Sequence, residues 1–403
     1  MIPRHPRRPT AARLTTALLT SGLLTSGLLA SGLLGGCATP AGPVFPPVAG
    51  APAFPPPPDT PRVRYVGSLG TEADLKPGVS ALDGLGQAIF GKPSVRSMLA
   101  PYAVTTVGDR VFVCDGAAQT LHVFDLATRA YAQWRPGEAK EPPASDGTAP
   151  ANHHLRFSQP VGITADPSGR IYVADSVAAV LFVFDQNGQC IGDLGYGTLK
   201  RPCGVAYDRL HDRLLVTDSA HHQLLALALD GTLLQAVGTR GMGPGEFNFP
   251  TNVTFDPDGR VYVSDTLNFR VQAFDAELRP TATIGRLGDM PGYFAQPKGI
   301  AVDSERHLYV VDAQFEAVQV FAPDGTLLMT FGQEGSGPGE FWLPAGIFID
   351  VNDRIWIADS YNRRVQVFDY LREAPPSEAV PAPAGPAAAA GAPSDTPPGT
   401  SAP

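Results

Sequence analysis

The sequence predicts an all-β protein, a six-bladed β-propeller whose ring is closed by an N-terminal strand. Three observations carry this reading. Six similar segments recur, mostly at a period in the forties; each holds three strand patterns and two turns; and a lone strand-like stretch precedes the first segment where the last one lacks an outer strand.

Composition agrees with that class. With 43 Gly, 41 Pro and only 17% charged residues the chain has many turns and few long helices, and 43% hydrophobic residues supply a sizeable core. Length decides nothing, since 403 residues could hold several average domains or one propeller. The formal charge is -9, and Arg4, Arg7, Arg8 and Arg13 stand in an N-terminal stretch without acids, so the remainder is more acidic still. This argues against nucleic acid, whose phosphates are bound by clustered Lys and Arg. Cys114, Cys190 and Cys203 are scattered without CxxC spacing; an odd number permits at most one intramolecular disulfide, and no zinc site or other cofactor is expected.

The N-terminus reads as an address. Four Arg are followed by the apolar and small run LTTALLTSGLLTSGLLASGLL over 14–34 and then by Leu34-Gly35-Gly36-Cys37, the charged region, apolar region and small-residue cleavage site of a secretory signal. The last four residues resemble a bacterial lipobox, which implies a signal peptide over 1–36 and a lipid on Cys37. An uncleaved membrane anchor is the alternative; seven Ser or Thr in the run and the Cys that ends it count against that. Arg7-Arg8 offers a twin-arginine route, which ranks second because the residues after it fit poorly. By the sorting rule for such lipoproteins, Ala38 in place of Asp implies the periplasmic side of the outer membrane. The Pro-rich stretch 37–61 is expected to be an extended spacer.

The repeats run from Pro101, Pro160, Pro202, Pro250, Pro297 and Pro344. In PVGITADPSGRIYVADSVAAVLFVFD an apolar strand, the turn DPSG, an alternating strand, a second turn and another alternating strand follow one another. Gly in such turns supplies positive φ and Asp caps them through its side chain. Outer strands follow, as in TLLQAVG and TLLMTFG. The links GTRGMGPGEFNFP, GRLGDMPGYFAQP and GQEGSGPGEFWLP repeat as well. They join strand to strand and open no helix, so a phosphate loop is disfavoured. Three residues before each starting Pro lies Met98, Phe157, Leu199, Phe247, Phe294 or Phe341, a set expected to wedge between blades.

DTLNFRVQAFD and DSYNRRVQVFD, each after a Pro-x-Asn or Pro-x-Gly strand, resemble NHL repeats, and the resemblance covers 62–370. It implies a six-bladed propeller. Blades 1, 2 and 3 lack the Asn-x-Arg turn, so a binding role for that turn does not transfer to them. RVRYVGSLG over 62–70 has the outer-strand pattern and is expected to complete the last blade, removing the free sheet edges. Residues 71–100 form an insertion with a short helix around 81–90, and 371–403, rich in Ala and Pro, are expected to be disordered.

Asp115, Asp175, Asp218, Asp265, Asp312 and Asp359 end the second strand of every blade, and a feature repeated in all blades reads as turn architecture rather than catalysis. Residues that break the symmetry are better site candidates. After the starting Pro, near the axis, stand Tyr102, Val161, Cys203, Thr251, Lys298 and Ala345, of which Lys298 alone is charged; a solvated side chain at the channel mouth is its plain reading. In the turns, Tyr361, Asn362, Arg363, Arg364, Asn268 and Arg270 are the candidate ligand-binding face, with local stacking and pairing as the competing role of the arginines. His153-His154 and His221-His222 fall on the same face, but adjacent His seldom point the same way and no carboxylate spacing supports a metal.

Two functions follow as expectations. The first is a membrane-anchored scaffold in the cell envelope that binds a protein or a polysaccharide. The second is an enzyme, because related propellers include peptidyl-hydroxyglycine amidating lyases and streptogramin lyases; a lyase or hydrolase with a metal-assisted site on the loop face is that alternative. The family lyases place histidines near the axis, where this chain has none at the position after Pro, and no catalytic residue is assigned.

Overall fold

The computed structural model describes residues 42–76, 95–137 and 156–372. They form six antiparallel sheets, one per repeat, and their inner strands contact one another in a closed cycle. In the first blade Pro101–Val107 is innermost, followed outward by Arg110–Asp115, Thr120–Asp125 and Ala130–Trp134. The other inner strands are Pro160–Ala165, Pro202–Asp208, Pro250–Phe255, Pro297–Val302 and Pro344–Ile349. Each begins on its Pro, which lies opposite the Asp that ends the second strand, as in Pro344 opposite Asp359, and a register shift follows at once. Pro tolerates this place because the first residue of an edge strand owes no N–H to the ladder.

Ring closure is as the strand count required. Val63–Leu69 runs antiparallel to Arg364–Tyr370, from Val63 opposite Tyr370 to Leu69 opposite Val365, so both ends of the propeller build one blade. The Pro-rich stretch read above as a spacer differs where it is described. Ala53–Phe54 adds a short fifth strand to this blade, pairing with Arg64 and Val63. Phe54 packs 5.7 Å from Phe331, and Phe45 meets Trp356 edge-on at 6.2 Å. The reason is the outer edge of Val63–Leu69, whose backbone groups take a partner, together with two phenylalanines that the compositional reading passed over.

The core is divided among six clusters, each shared by two neighbouring blades, and each contains one wedge residue. Phe341, for example, lies between Val318, Val320 and Phe331 of the fifth blade and Ile355, Ile357 and Phe368 of the sixth. Met98 does the same across the closure, among Leu69, Val111, Val113 and Val365. Burial of each such side chain stabilises the ring by roughly 1.5–3 kcal/mol. In the insertion after the first strand, a 3-10 turn at Glu72–Leu75 is capped by the Asp74 carboxylate, which accepts the N–H groups of Gly70 and Thr71 at 2.7 Å. The helix expected around 81–90, Cys37 with the signal peptide, His153-His154 and the tail from 373 lie outside the described residues.

Candidate functional site

The propeller has two faces. On one lie the links that enter each blade and the turns between second and third strands; on the other lie the DPSG-type turns. The six Asp residues sit on the first face, fully buried, and serve the backbone there. Asp115 accepts the N–H groups of Leu99 and Ala100, Asp175 those of Ser158 and Gln159, Asp218 those of Lys200 and Arg201, and Asp312 those of Ala295 and Gln296. A buried carboxylate surrounded by N–H donors has its acceptor oxygens satisfied, which fits the architectural reading.

The turn residues Asn268, Arg270, Asn362 and Arg364 belong to the same framework. Asp359 Oδ2 accepts from Asn362 Nδ2 at 2.9 Å, Arg364 Nε at 2.8 Å and Gln366 Nε2 at 3.0 Å. Asn362 also donates to the Gly335 carbonyl, Arg364 to those of Gly337 and Glu340, and Gln366 to that of Glu340. The fourth blade repeats the clamp, with Asp265 holding Asn268, Arg270 and Gln272 while Arg270 reaches the carbonyls of Met242, Gly243 and Glu246. Only 15% of the Arg364 side chain and 12% of Arg270 are exposed. These four residues are therefore spent on holding the preceding link, which corrects the expectation that they face a ligand. The signal that would have separated them is the Asp five positions before each Arg, whose strand end is paired with that Arg across the turn.

What the face presents instead includes exposed aromatic and apolar side chains. Tyr361 is exposed and its ring lies 5.5 Å from that of the exposed Trp342; Arg363, at φ 57°, also points outward. Val177, Tyr196, Met242, Leu267, Leu287 and Met290 are exposed on the same links and turns. Trp342 was not singled out from the sequence, because the link position before Leu-Pro carries no repeated signal. His221 and His222 do not converge: His221 Nδ1 is 2.9 Å from Asp218, whereas His222 Nδ1 accepts the Phe249 N–H at 3.2 Å. Among the described residues no group of three or more His, Cys, Asp or Glu is placed to hold a metal ion.

At the axis the link-side ends of the inner strands nearly touch. A Cβ on Gly162 would lie 2.0 Å from the Cys203 carbonyl oxygen and one on Gly346 2.4 Å from that of Tyr102, so only Gly fits there. Lys298, from the fifth blade, is half-buried and its Nζ stands 5.8 Å from the centre of the Tyr102 ring, two blades away. Burial lowers the Lys298 pKa, against the pull of Asp312. Burial likewise pushes Tyr102 up to about 12, and holds the Cys203 thiol above its ordinary value despite a Ser219 hydroxyl 3.2 Å away. Cys114, Cys190 and Cys203 are all free thiols. Beyond this narrow end the channel widens into a cavity of about 560 Å³ that opens between the DPSG-type turns. Its wall includes the free backbone edges of the inner strands, and the rim carboxylates are engaged: Asp166 with Arg170 and Tyr172, Asp303 with His307 and Tyr309, Asp350 with Trp356.

The class defined by this architecture is a six-bladed β-propeller that carries an NHL repeat in its second blade. Family models agree piecewise: one described as a six-bladed β-propeller matches 304–374, the NHL repeat matches 157–184, and the SMP-30/gluconolactonase/LRE-like region matches 234–333. The human NHL repeat-containing protein 3 is 42% identical over 57 residues, which is 14% of this chain; the match spans 16% of that relative's length. Among solved structures, an auxiliary nutrient binding protein from Bacteroides thetaiotaomicron superposes over 68% of this chain and 70% of its own, with a TM-score of 0.52 and 11% identity. One of the same description from Bacteroides ovatus covers the same shares with a TM-score of 0.51 and 12% identity. At these identities the likeness is one of fold.

Proposed function

We propose that this chain is a binding scaffold of the cell envelope, held to the periplasmic side of the outer membrane by a lipid on Cys37, whose link face captures a protein or a polysaccharide. One observation carries the reading: exposed aromatic and apolar side chains gather on that face, with Trp342 and Tyr361 in ring contact, on links clamped by buried polar networks. Exposed apolar patches on a rigid framework mark recognition surfaces, and aromatic anchors dominate binding energy when they are covered. The description of the two Bacteroides propellers as nutrient binding accords with a scaffold, as a statement about those proteins. The test is capture from an envelope extract, comparing Trp342→Ala with Tyr361→Ala against a control on the opposite face, Leu210→Ala with Val351→Ala. Loss confined to the first variant is expected; loss confined to the control overturns the choice of face.

The match over 234–333 favours one second reading, a lyase or hydrolase with a metal-assisted site. It competes with the use of the link-face carboxylates for backbone hydrogen bonds. Stoichiometric zinc or calcium in the purified chain would restore it.

A further inference from the structure

We propose that a cleft between two neighbouring links, 238–247 and 285–294, binds a small organic carboxylate carried on an apolar body. This goes beyond capture of an envelope partner and involves neither Trp342 nor Tyr361. The cleft encloses about 420 Å³, with Met242, Leu267, Phe269 and Leu287 as its apolar wall and Arg240 and Arg286 among its lining residues. Met242 is 77% exposed and Leu287 63%, so a large apolar surface meets water here. Among the described residues neither guanidinium is ion-paired, and Arg286 is stacked 4.3 Å above the Tyr293 ring.

Charge and symmetry both single this cleft out. The chain carries 39 acids against 30 Lys and Arg, yet the residues lining the cleft include two arginines and no acid; of the acids in the two links, Glu246 accepts the Gly243 N–H at 2.8 Å within its own link and Asp289 lies outside the lining. Three links share one local geometry, in which Arg240 bridges Phe247, Leu287 bridges Phe294 and Glu334 bridges Phe341. The backbone is the same while the side chain changes from Arg to Leu to Glu, so Arg240 is not part of the shared architecture. The walls are also preorganised, because Asn268 and Arg270 bind the carbonyls of Gly241, Met242 and Gly243, and Leu267 N–H donates to Asn248. Little ordering is then left for a ligand to impose. Two unpaired guanidinium groups beside apolar surface favour a planar anion with an apolar body: the fork of N–H donors matches a carboxylate, and the body removes Met242, Leu267 and Leu287 from water.

The experiment is calorimetric titration of the full chain, carrying Cys37→Ser so that no detergent is needed, with 4-phenylbutyrate, 4-phenylbutanol and 4-phenylbutylamine. The three share one apolar body. The carboxylate is expected to bind roughly tenfold more tightly than the alcohol, with the amine weakest. Arg240→Ala with Arg286→Ala should erase that order, and added salt should compress it in the unaltered chain. Acetyl-glycyl-phenylalanine, with its terminus free or amidated, separates the two sources of such a group: if the free form outbinds phenylbutyrate, a peptide C-terminus is the source, and otherwise a small acid is. Equal binding of the three probes, no binding of the carboxylate, or an order that survives both salt and the double substitution overturns the proposal. Failure here leaves the Trp342 and Tyr361 capture test unaffected.

Discussion

Arg364 Nε donates to Asp359 Oδ2 at 2.8 Å across the turn that joins the second and third strands of the last blade. The carboxylate is fully buried, so this contact is part of the framework that fastens the link into that blade. Arg363 next to it points into solvent. One turn thus holds two arginines with opposite duties.

The first prediction follows from that division. Arg364→Ala removes the cationic partner of the buried Asp359, frees the Gly337 carbonyl and leaves the Glu340 carbonyl to Gln366 alone, and should cost roughly 2–4 kcal/mol. Arg363→Ala should stay within about 0.5 kcal/mol of the unaltered chain. Urea unfolding midpoints read both, and equal shifts would show that the clamp does not stabilise the ring.

Closure gives the second. A chain beginning at Gly70 lacks the strand Val63–Leu69 and exposes the edge of Arg364–Tyr370 along its length. It should unfold at lower denaturant or aggregate. A chain beginning at Gly42 should exceed one beginning at Arg62, because only the former keeps Phe45 on Trp356 and Phe54 on Phe331. Matching midpoints for all three would defeat the velcro model.

His307 supplies a dependence on pH. Its Nδ1 lies 2.9 Å from Asp303, and that hydrogen bond raises its pKa above the ordinary 6.5, against partial burial. Glu305 adds to the rise, Arg62 opposes it, and the Tyr370 ring packs 6.0 Å away. The folded state therefore holds the proton at a pH where the unfolded chain has lost it. This stabilisation is complete below about 6.5 and is lost as pH rises through the folded value. His307→Gln should flatten that decline between neutral and mildly alkaline pH; an unchanged slope in the variant would assign it to other groups.

The address at the N-terminus is tested by metabolic labelling with a fatty acid. Label on the natural chain, none on Cys37→Ser, and release of the variant from membranes are the expected results. Equal labelling of the two would remove the lipid anchor from the proposed function.

Much of the fold was legible because a propeller is local chemistry repeated. The Gly of the turns acts locally, and the Pro that opens each inner strand and the Asp that ends the second meet within a single blade, so their spacing recurs directly in the chain. The wedge residues were legible for a related reason, since one apolar side chain at a fixed distance from Pro must fill the gap that every pair of blades leaves. Even the closure could be counted, from an outer strand present before the first repeat and absent after the last.

The site was less legible because it depends on direction and on distance through space. Asn362, Arg363 and Arg364 read alike as polar turn residues, and only the tertiary structure turns the first and third onto Asp359 and the second into water. Lys298 and Tyr102 are 196 positions apart in sequence and meet because the closed ring leaves only the sixth blade between the fifth and the first near the axis. The cleft between Arg240 and Arg286 arises where two links run side by side, and Phe45 and Phe54 find their partners only once the last blade exists. The sequence by itself determined the number of blades, their strands and the way the circle shuts, through hydrogen-bonding and burial patterns that recur along the chain. Which side chains face outward, and which charges remain unpaired, was decided by how turns and links fold onto one another, because a polar group such as Arg364 takes one partner nearby, Asp359, and others, such as the Gly337 carbonyl, on a link that sequence order does not place beside it.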